Sequence, residues 1–154
     1  MGVVVRPASA EDADILHRLM LGLAEHEGLA PYVAVTPAGL AQALSARPPR
    51  AAFLLAELAG RPVGYVSWTR VFGIWRGQDY LNLDDLFVTE EARGAGVGEA
   101  LMRAFAEEAR RDGLSGRWEV AVHNHAAQRF YARLGAEMEE KLIVRWSAPA
   151  MRDI

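Results

Sequence analysis

The sequence predicts a single α/β domain, and three patterns carry that expectation. Short apolar runs bounded by turn residues, at 51–58, 62–71 and 80–88, read as strands. Longer runs with apolar residues three and four apart, at 15–23 and 97–105, read as amphipathic helices. Both kinds alternate along 154 residues, a length that suits one domain with a sizeable core.

Element by element, Val3 to Arg6 is a short strand. Ser9 with Asp12 resembles a capping box opening a helix whose buried face is Ile15, Leu16, Leu19, Met20 and Leu23. Thr36 caps a second helix with Pro37 at its first position, and Pro48-Pro49 closes it. Ala51 to Leu58 and Pro62 to Val71 are strands joined at Ala59-Gly60-Arg61. The loop from Phe72 to Gln78 returns the chain to a strand from Tyr80 to Val88. A helix from Gly96 to about Arg111 buries Val97, Leu101, Ala104 and Phe105, and Gly113 ends it. A strand from Arg117 to Val122, a short helix from Ala126 to Leu134 and a last strand from Met138 to Trp146 follow. The order is β-α-α-β-β-β-α-β-α-β.

Composition excludes several function classes. Seventeen basic and 20 acidic residues give a net charge of −3, and Arg103, Arg110 and Arg111 alternate with Glu107 and Glu108. That is a solvated helix face, not a nucleic-acid stripe. With no cysteine, disulfides, thiolate metal sites and a thiol acyl-enzyme are excluded. No apolar run approaches the roughly 20 residues that span a bilayer. The N-terminus lacks the regions of a signal peptide, and Arg6 stands where a myristoylation signal needs Ser or Thr. A cytoplasmic protein without membrane or nucleic-acid partners is expected.

The most informative stretch is Leu83-Asp84-Asp85-Leu86-Phe87-Val88, followed after a short connection by Arg93-Gly94-Ala95-Gly96-Val97-Gly98. A strand runs into a glycine turn and then into a helix. Glycines let the backbone approach a ligand closely, the helix start offers unpaired N–H groups and a positive dipole end, and Arg93 is a cation suited to phosphate. Together they form a diphosphate cradle. It is not a Walker loop, since Glu99 and Ala100 follow Gly98. The dinucleotide fingerprint fails too, because the third glycine position falls on Glu99 or Leu101.

What remains, Arg-x-x-Gly-x-Gly, resembles the acyl-CoA loop of the GNAT N-acetyltransferase superfamily. A second block agrees: Asn124, Phe130-Tyr131 and Gly135-Ala136 are similar to the pattern that GNAT enzymes place about twenty residues beyond the CoA helix. A narrower likeness, to the diamine (spermidine/spermine) acetyltransferase branch, rests on four segments. They are Val5-Arg6-Pro7-Ala8, Leu23-Ala24-Glu25-His26-Glu27, Trp75-Arg76-Gly77, and the acidic pair before Leu86-Phe87-Val88. The resemblance implies a mixed, mostly antiparallel sheet flanked by helices, one domain over residues 1–148 and a short tail over 149–154.

The resemblance also implies roles. Acetyl-CoA would be the donor, with no metal. Leu86, Phe87 and Val88 would offer backbone groups to the pantetheine arm as an added strand. Arg93, Gly94, Ala95, Gly96, Val97, Gly98 and Glu99 would hold the pyrophosphate, and Asn124 would bond the pantetheine. Freeing the lone pair of an alkylamine at pH 7 costs about 4–5 kcal/mol, and the leaving thiolate gains from a proton. Tyr131 matches the family's proton donor, although it also suits an aromatic on the packed face of its helix. Asp84 stands where the diamine branch has a glutamate; one methylene shorter, it implies a bridging water. Asp85 is the alternative, because successive strand residues point to opposite faces. His26, Glu27 and Glu140 are substrate-binding candidates, and solvated surface charge is the plain alternative for the first two. His123 and His125 lack metal spacing, and Trp75 and Trp118 are expected to pack, Trp75 against the acceptor cleft.

The expected activity is direct acetyl transfer to a primary amine of a small molecule, a diamine, a polyamine or a lysine-like amino acid. Acetylation of a protein N-terminus or lysine is the second reading, and a non-catalytic acyl-CoA-binding module the third. A homodimer is implied by resemblance.

Overall fold

In the computed structural model, residues 2–154 are described, so Met1 and the start of the expected domain lie outside the described residues. Two compact units divide the chain, one ending at Trp118 and the other covering Glu119–Ile154.

The first unit holds strands β1 (Val3–Pro7), β2 (Ala52–Leu58), β3 (Arg61–Gly73), β4 (Gln78–Val88) and β5 (Gly116–Arg117). Its helices are α1 (Ala13–His26), α2 (Pro37–Ser45) and α3 (Val97–Arg111). The sheet order is β1-β2-β3-β4-β5. The first four strands are antiparallel, with Leu55 opposite Tyr65 and Tyr65 opposite Phe87. β5 runs parallel to β4, pairing Leu81 with Gly116 and Asn82 with Arg117. This is the expected α/β class: a five-stranded mixed sheet flanked by helices.

Local chemistry explains the elements. Ser9 N–H donates to Asp12 Oδ2 at 2.8 Å, and the 3-10 turn Ala10–Asp12 leads into α1. Asp12 is nearly buried and takes both terminal nitrogens of Arg6, at 3.0 and 2.8 Å. Arg6, with help from the Ser9 amide, holds that carboxyl below the usual carboxylate range against the opposing effect of burial. Thr36 Oγ1 accepts from Gly39 N–H at 3.0 Å, capping α2 behind Pro37.

Alternate strand residues bury on opposite faces. On one face Phe53, Leu55, Tyr65 and Phe87 pack with Leu16 and Leu19 of α1 and Leu40 of α2. On the other, α3 buries Val97, Leu101 and Phe105, and the Phe105 ring meets Trp68 edge-on at 5.4 Å and Trp118 at 6.3 Å. Each such side chain contributes about 1.5–3 kcal/mol. Gly64 is required where β3 crosses β4, since a Cβ there would stand 2.5 Å from the Phe87 carbonyl oxygen.

Three expectations are corrected. The strand from Arg117 to Val122 shrinks to Gly116–Arg117. Between Met138 and Trp146 no strand forms among the described residues. The apolar run Leu142-Ile143-Val144 imitates a strand, yet Leu142 and Val144 are 93% and 87% exposed. A β-branched, apolar run makes a strand only where a ladder takes up the backbone N–H and C=O groups. Trp75, in the turn between β3 and β4, is fully exposed instead of packed. The second unit holds α4 (His125–Arg133) and the short α5 (Ala148–Met151).

Candidate active site

Strand β4 organises the first unit's functional surface. It pairs with β3 along its whole length, but with β5 only through Leu81 and Asn82. Among the described residues, the β5-facing edge at Leu86, Phe87 and Val88 therefore has no strand partner in this sheet. An extended ligand arm can add there as a further strand.

Beyond β4 the 3-10 turn Glu90–Ala92 leads to the glycine turn. Gly94 and Gly96 have φ of +80° and +78°, a region that a side chain enters only with strain, and a Cβ at either would meet open space. Backbone amides thus face an unobstructed surface at the start of α3, where Val97, Gly98 and Glu99 have no intrahelical acceptor. Arg93 Nε donates to the Val88 carbonyl at 3.4 Å, which pins the guanidinium beside the turn and leaves its terminal amino groups for an anion. The Glu99 carboxylate is engaged by Arg103 one helical turn on, at 2.7 Å. At the end of β4 the Thr89 hydroxyl is buried without a hydrogen-bond partner. Taken together, these groups fit a diphosphate.

A cleft of about 170 Å³ opens on the α1 side of the sheet. Its apolar floor includes Met20, Leu23, Leu29 and Val33; its polar groups are Glu27, Tyr32, Tyr65 and Asp85. Glu27 is there because it caps the C-terminus of α1, while His26 next to it is exposed and lies outside the lining. The two aspartates separate. Ser67 pairs with Asp85 and Trp68 with Leu83, so Asp84 is the extra residue of a β-bulge. Asp84 is exposed and accepts from Asn82 Nδ2 at 3.2 Å. Asp85 is half-buried in the cleft and accepts from the Tyr65 hydroxyl at 3.3 Å.

Desolvation raises both aspartate carboxyls above their usual range. For Asp85 the Tyr65 hydrogen bond works against that rise, while the charges of Asp84 and Glu27 add to it. Burial and, after it, the Asp85 charge push the Tyr65 phenol far up. A carboxylate reluctant to ionise, next to another acid, suits a base or a cation site.

In the second unit, Asn124 Oδ1 accepts from Ala127 N–H at 3.2 Å and caps α4. Gln128 Nε2 ties the preceding segment through the Ala121 and Val122 carbonyls at 3.1 and 2.9 Å. Tyr131 is half-buried, its ring 5.4 Å from Phe130, and burial raises its phenol so that it carries its proton at neutral pH. Glu140 is exposed, as are His123 and His125. No cluster of three or more metal-ligating side chains occurs among the described residues, and no helix among them is long and apolar enough to cross a membrane.

The structure thus groups Glu27 with Asp85 and adds Tyr65, which sequence reasoning missed. The available signal was a phenol inside the apolar run Pro62 to Val71, since a buried hydroxyl needs a partner.

Comparison with known proteins gives this arrangement a family. Residues 18–136 match the model of the Acetyltransferase (GNAT) family. The chain is 30% identical over 165 residues to a Bos taurus protein named thialysine N-epsilon-acetyltransferase, covering 99% of this chain and 96% of that one. Among solved structures, an aminoglycoside acetyltransferase from an uncultured soil metagenomic sample superposes with a TM-score of 0.80 at 19% identity, covering 96% and 100% of the two chains. A ribosomal-protein-alanine N-acetyltransferase from Brucella melitensis gives 0.74 at 18%, over 95% and 100%. The chain belongs to the GNAT family and is an acetyltransferase acting on amines.

Proposed function

We propose that the protein transfers the acetyl group of acetyl-CoA directly to a primary amine of a small molecule that carries a second cationic group. Diamines, polyamines and lysine-like amino acids fit this description. The observation that carries the reading is the pairing of Glu27 and Asp85 over an apolar floor. Methylene chains suit the floor and an ammonium suits the acids. The relative's name, thialysine N-epsilon-acetyltransferase, supports the same substrate class.

Acetyl-CoA supplies the activated thioester. The amides from Gly94 to Glu99 and the Arg93 guanidinium hold its diphosphate, and the free edge of β4 aligns its pantetheine, with Asn124 contributing a further hydrogen bond. Asp85, or Asp84 through water, receives the proton that the amine sheds as its lone pair attacks the carbonyl carbon. As the carbon–sulfur bond breaks, Tyr131 gives its proton to the departing thiolate. Glu27 gives the ammonium negative charge, and His26 and Glu140 are the further substrate-binding candidates. In this reading, residues 1–148 act as one domain with a short tail, and two copies form the working enzyme.

The test is release of free CoA from acetyl-CoA with a panel of diamines, polyamines, basic amino acids and lysine or N-terminal peptides. Highest kcat/KM with the small cationic amines supports the proposal. Turnover confined to peptides replaces it with protein acetylation, and CoA binding without any turnover leaves a binding module.

A further inference from the structure

Tyr65 has no part in the chemistry above, although its hydroxyl touches it. Its ring is wholly buried, 5.7 Å from Phe53 and 6.2 Å from Phe87. A phenylalanine would fill that space as well. Only the hydroxyl adds a polar burden, costing about 1–3 kcal/mol where it lacks a partner. It finds one at Asp85 Oδ2, 3.3 Å away. Strand register explains the meeting: Tyr65 pairs with Phe87, and Asp85 lies two residues earlier on the same face of β4.

Resting on the amine-acetylation reading, we propose that Tyr65 is the positioning residue of the acceptor site: its hydroxyl fixes Oδ2 of Asp85 and leaves Oδ1 for the substrate amine. A lone aspartate at a cleft wall would swing between rotamers, and a single donor from the rigid core removes that freedom. The direction of the bond is set, because burial keeps the phenol protonated and therefore donating. Four groups face or adjoin the Asp85 carboxylate: Tyr65 from β3, Glu27 from the end of α1, Tyr32 from the 3-10 turn Ala30–Tyr32, and the neighbouring Asp84. Glu27 and Asp84 discourage its ionisation, and the Tyr65 bond favours it.

The experiment compares wild type, Tyr65→Phe, Asp85→Asn and the double variant, all as full chains. Tyr65→Phe is expected to lower kcat/KM for the best diamine about ten-fold, the weight of a hydrogen bond to a charged group. The KM for acetyl-CoA stays constant, and the acid limb of the pH profile moves to higher pH. On the Asp85→Asn background the same change has no further effect. Independently of turnover, the Asp85 side-chain carboxyl, followed by carbon NMR, titrates at higher pH in Tyr65→Phe than in wild type. An unmoved Asp85 titration overturns the proposal, as does an equal loss on both backgrounds. A Tyr65→Phe chain that fails to fold overturns it too, by making the hydroxyl a prop of the core. If no amine is acetylated by the wild type, the functional reading falls, while the NMR titration still decides whether the hydroxyl holds Asp85.

Discussion

The glycine turn at 93–98 and the cleft around Asp85 lie on the same β4 scaffold and are built in opposite ways. The turn is exposed backbone: two residues at positive φ, an open helix start and one pinned arginine. The cleft is side chain, an exposed glutamate, a buried tyrosine and a half-buried aspartate from three distant segments beside apolar residues. In the proposed reading, the surface of amides recognises the linked phosphates that every donor of this class shares. A pocket of side chains can be re-shaped by a single substitution, and the same reading puts acceptor choice there. On that reading the donor half tolerates change almost anywhere except at its glycines, while the acceptor half sets specificity.

Four substitutions bear on this comparison. Tyr131→Phe, outside both regions, carries the largest expected effect: kcat falls by roughly 10²–10⁴ while acetyl-CoA affinity is kept. A stopped assay and calorimetric titration of CoA check it, and unchanged turnover would leave the two regions sufficient by themselves. Asp85→Asn comes next, with about 10²-fold lower kcat/KM for the amine and an unchanged KM for acetyl-CoA. Asp84→Asn costs less in the same steady-state assay, and a reversed ranking would move the base to the bulge.

Gly96→Val strikes the donor half. Its φ of +78° strains a β-branched residue by about 1–3 kcal/mol, so the KM for acetyl-CoA rises about ten-fold or more with the amine KM unaltered. A shift in the amine parameter alone would dissolve the division of labour.

The smallest effect is on stability. Burial raises the Asp85 carboxyl in the folded chain above its unfolded value. The protonated form is thus favoured by folding, and the stability this group contributes is full below the unfolded pKa and lost as pH rises through the folded one. Asp85→Asn should therefore melt higher than wild type at pH 7. That advantage should vanish below about pH 4. Scanning calorimetry across pH reads it, and a variant that melts lower at neutral pH would mean Asp85 is held by attraction instead of strained by burial.

Local features were legible in the residues. Thr36-Pro37 announced a helix start, and Thr36 caps it; Gly94 and Gly96 announced a turn that only glycine takes without strain. The strand β4 and helix α3 bracket that turn as the apolar spacing predicts. The segment from Met138 to Trp146 carries the apolar run Leu142-Ile143-Val144 and forms no strand. A helix closes its hydrogen bonds within itself, whereas a strand needs a neighbour that its own residues do not name.

By itself, the sequence determined the glycine turn after β4 and the helices α1, α2 and α3, because dihedral preference, capping and amphipathic spacing act within a few residues. Tertiary structure alone decided which aspartate enters the cleft and that Tyr65 meets it. Those outcomes depend on the β3–β4 register and on the bulge at Asp84, and a shift of one residue in that pairing would exchange the faces of both carboxylates.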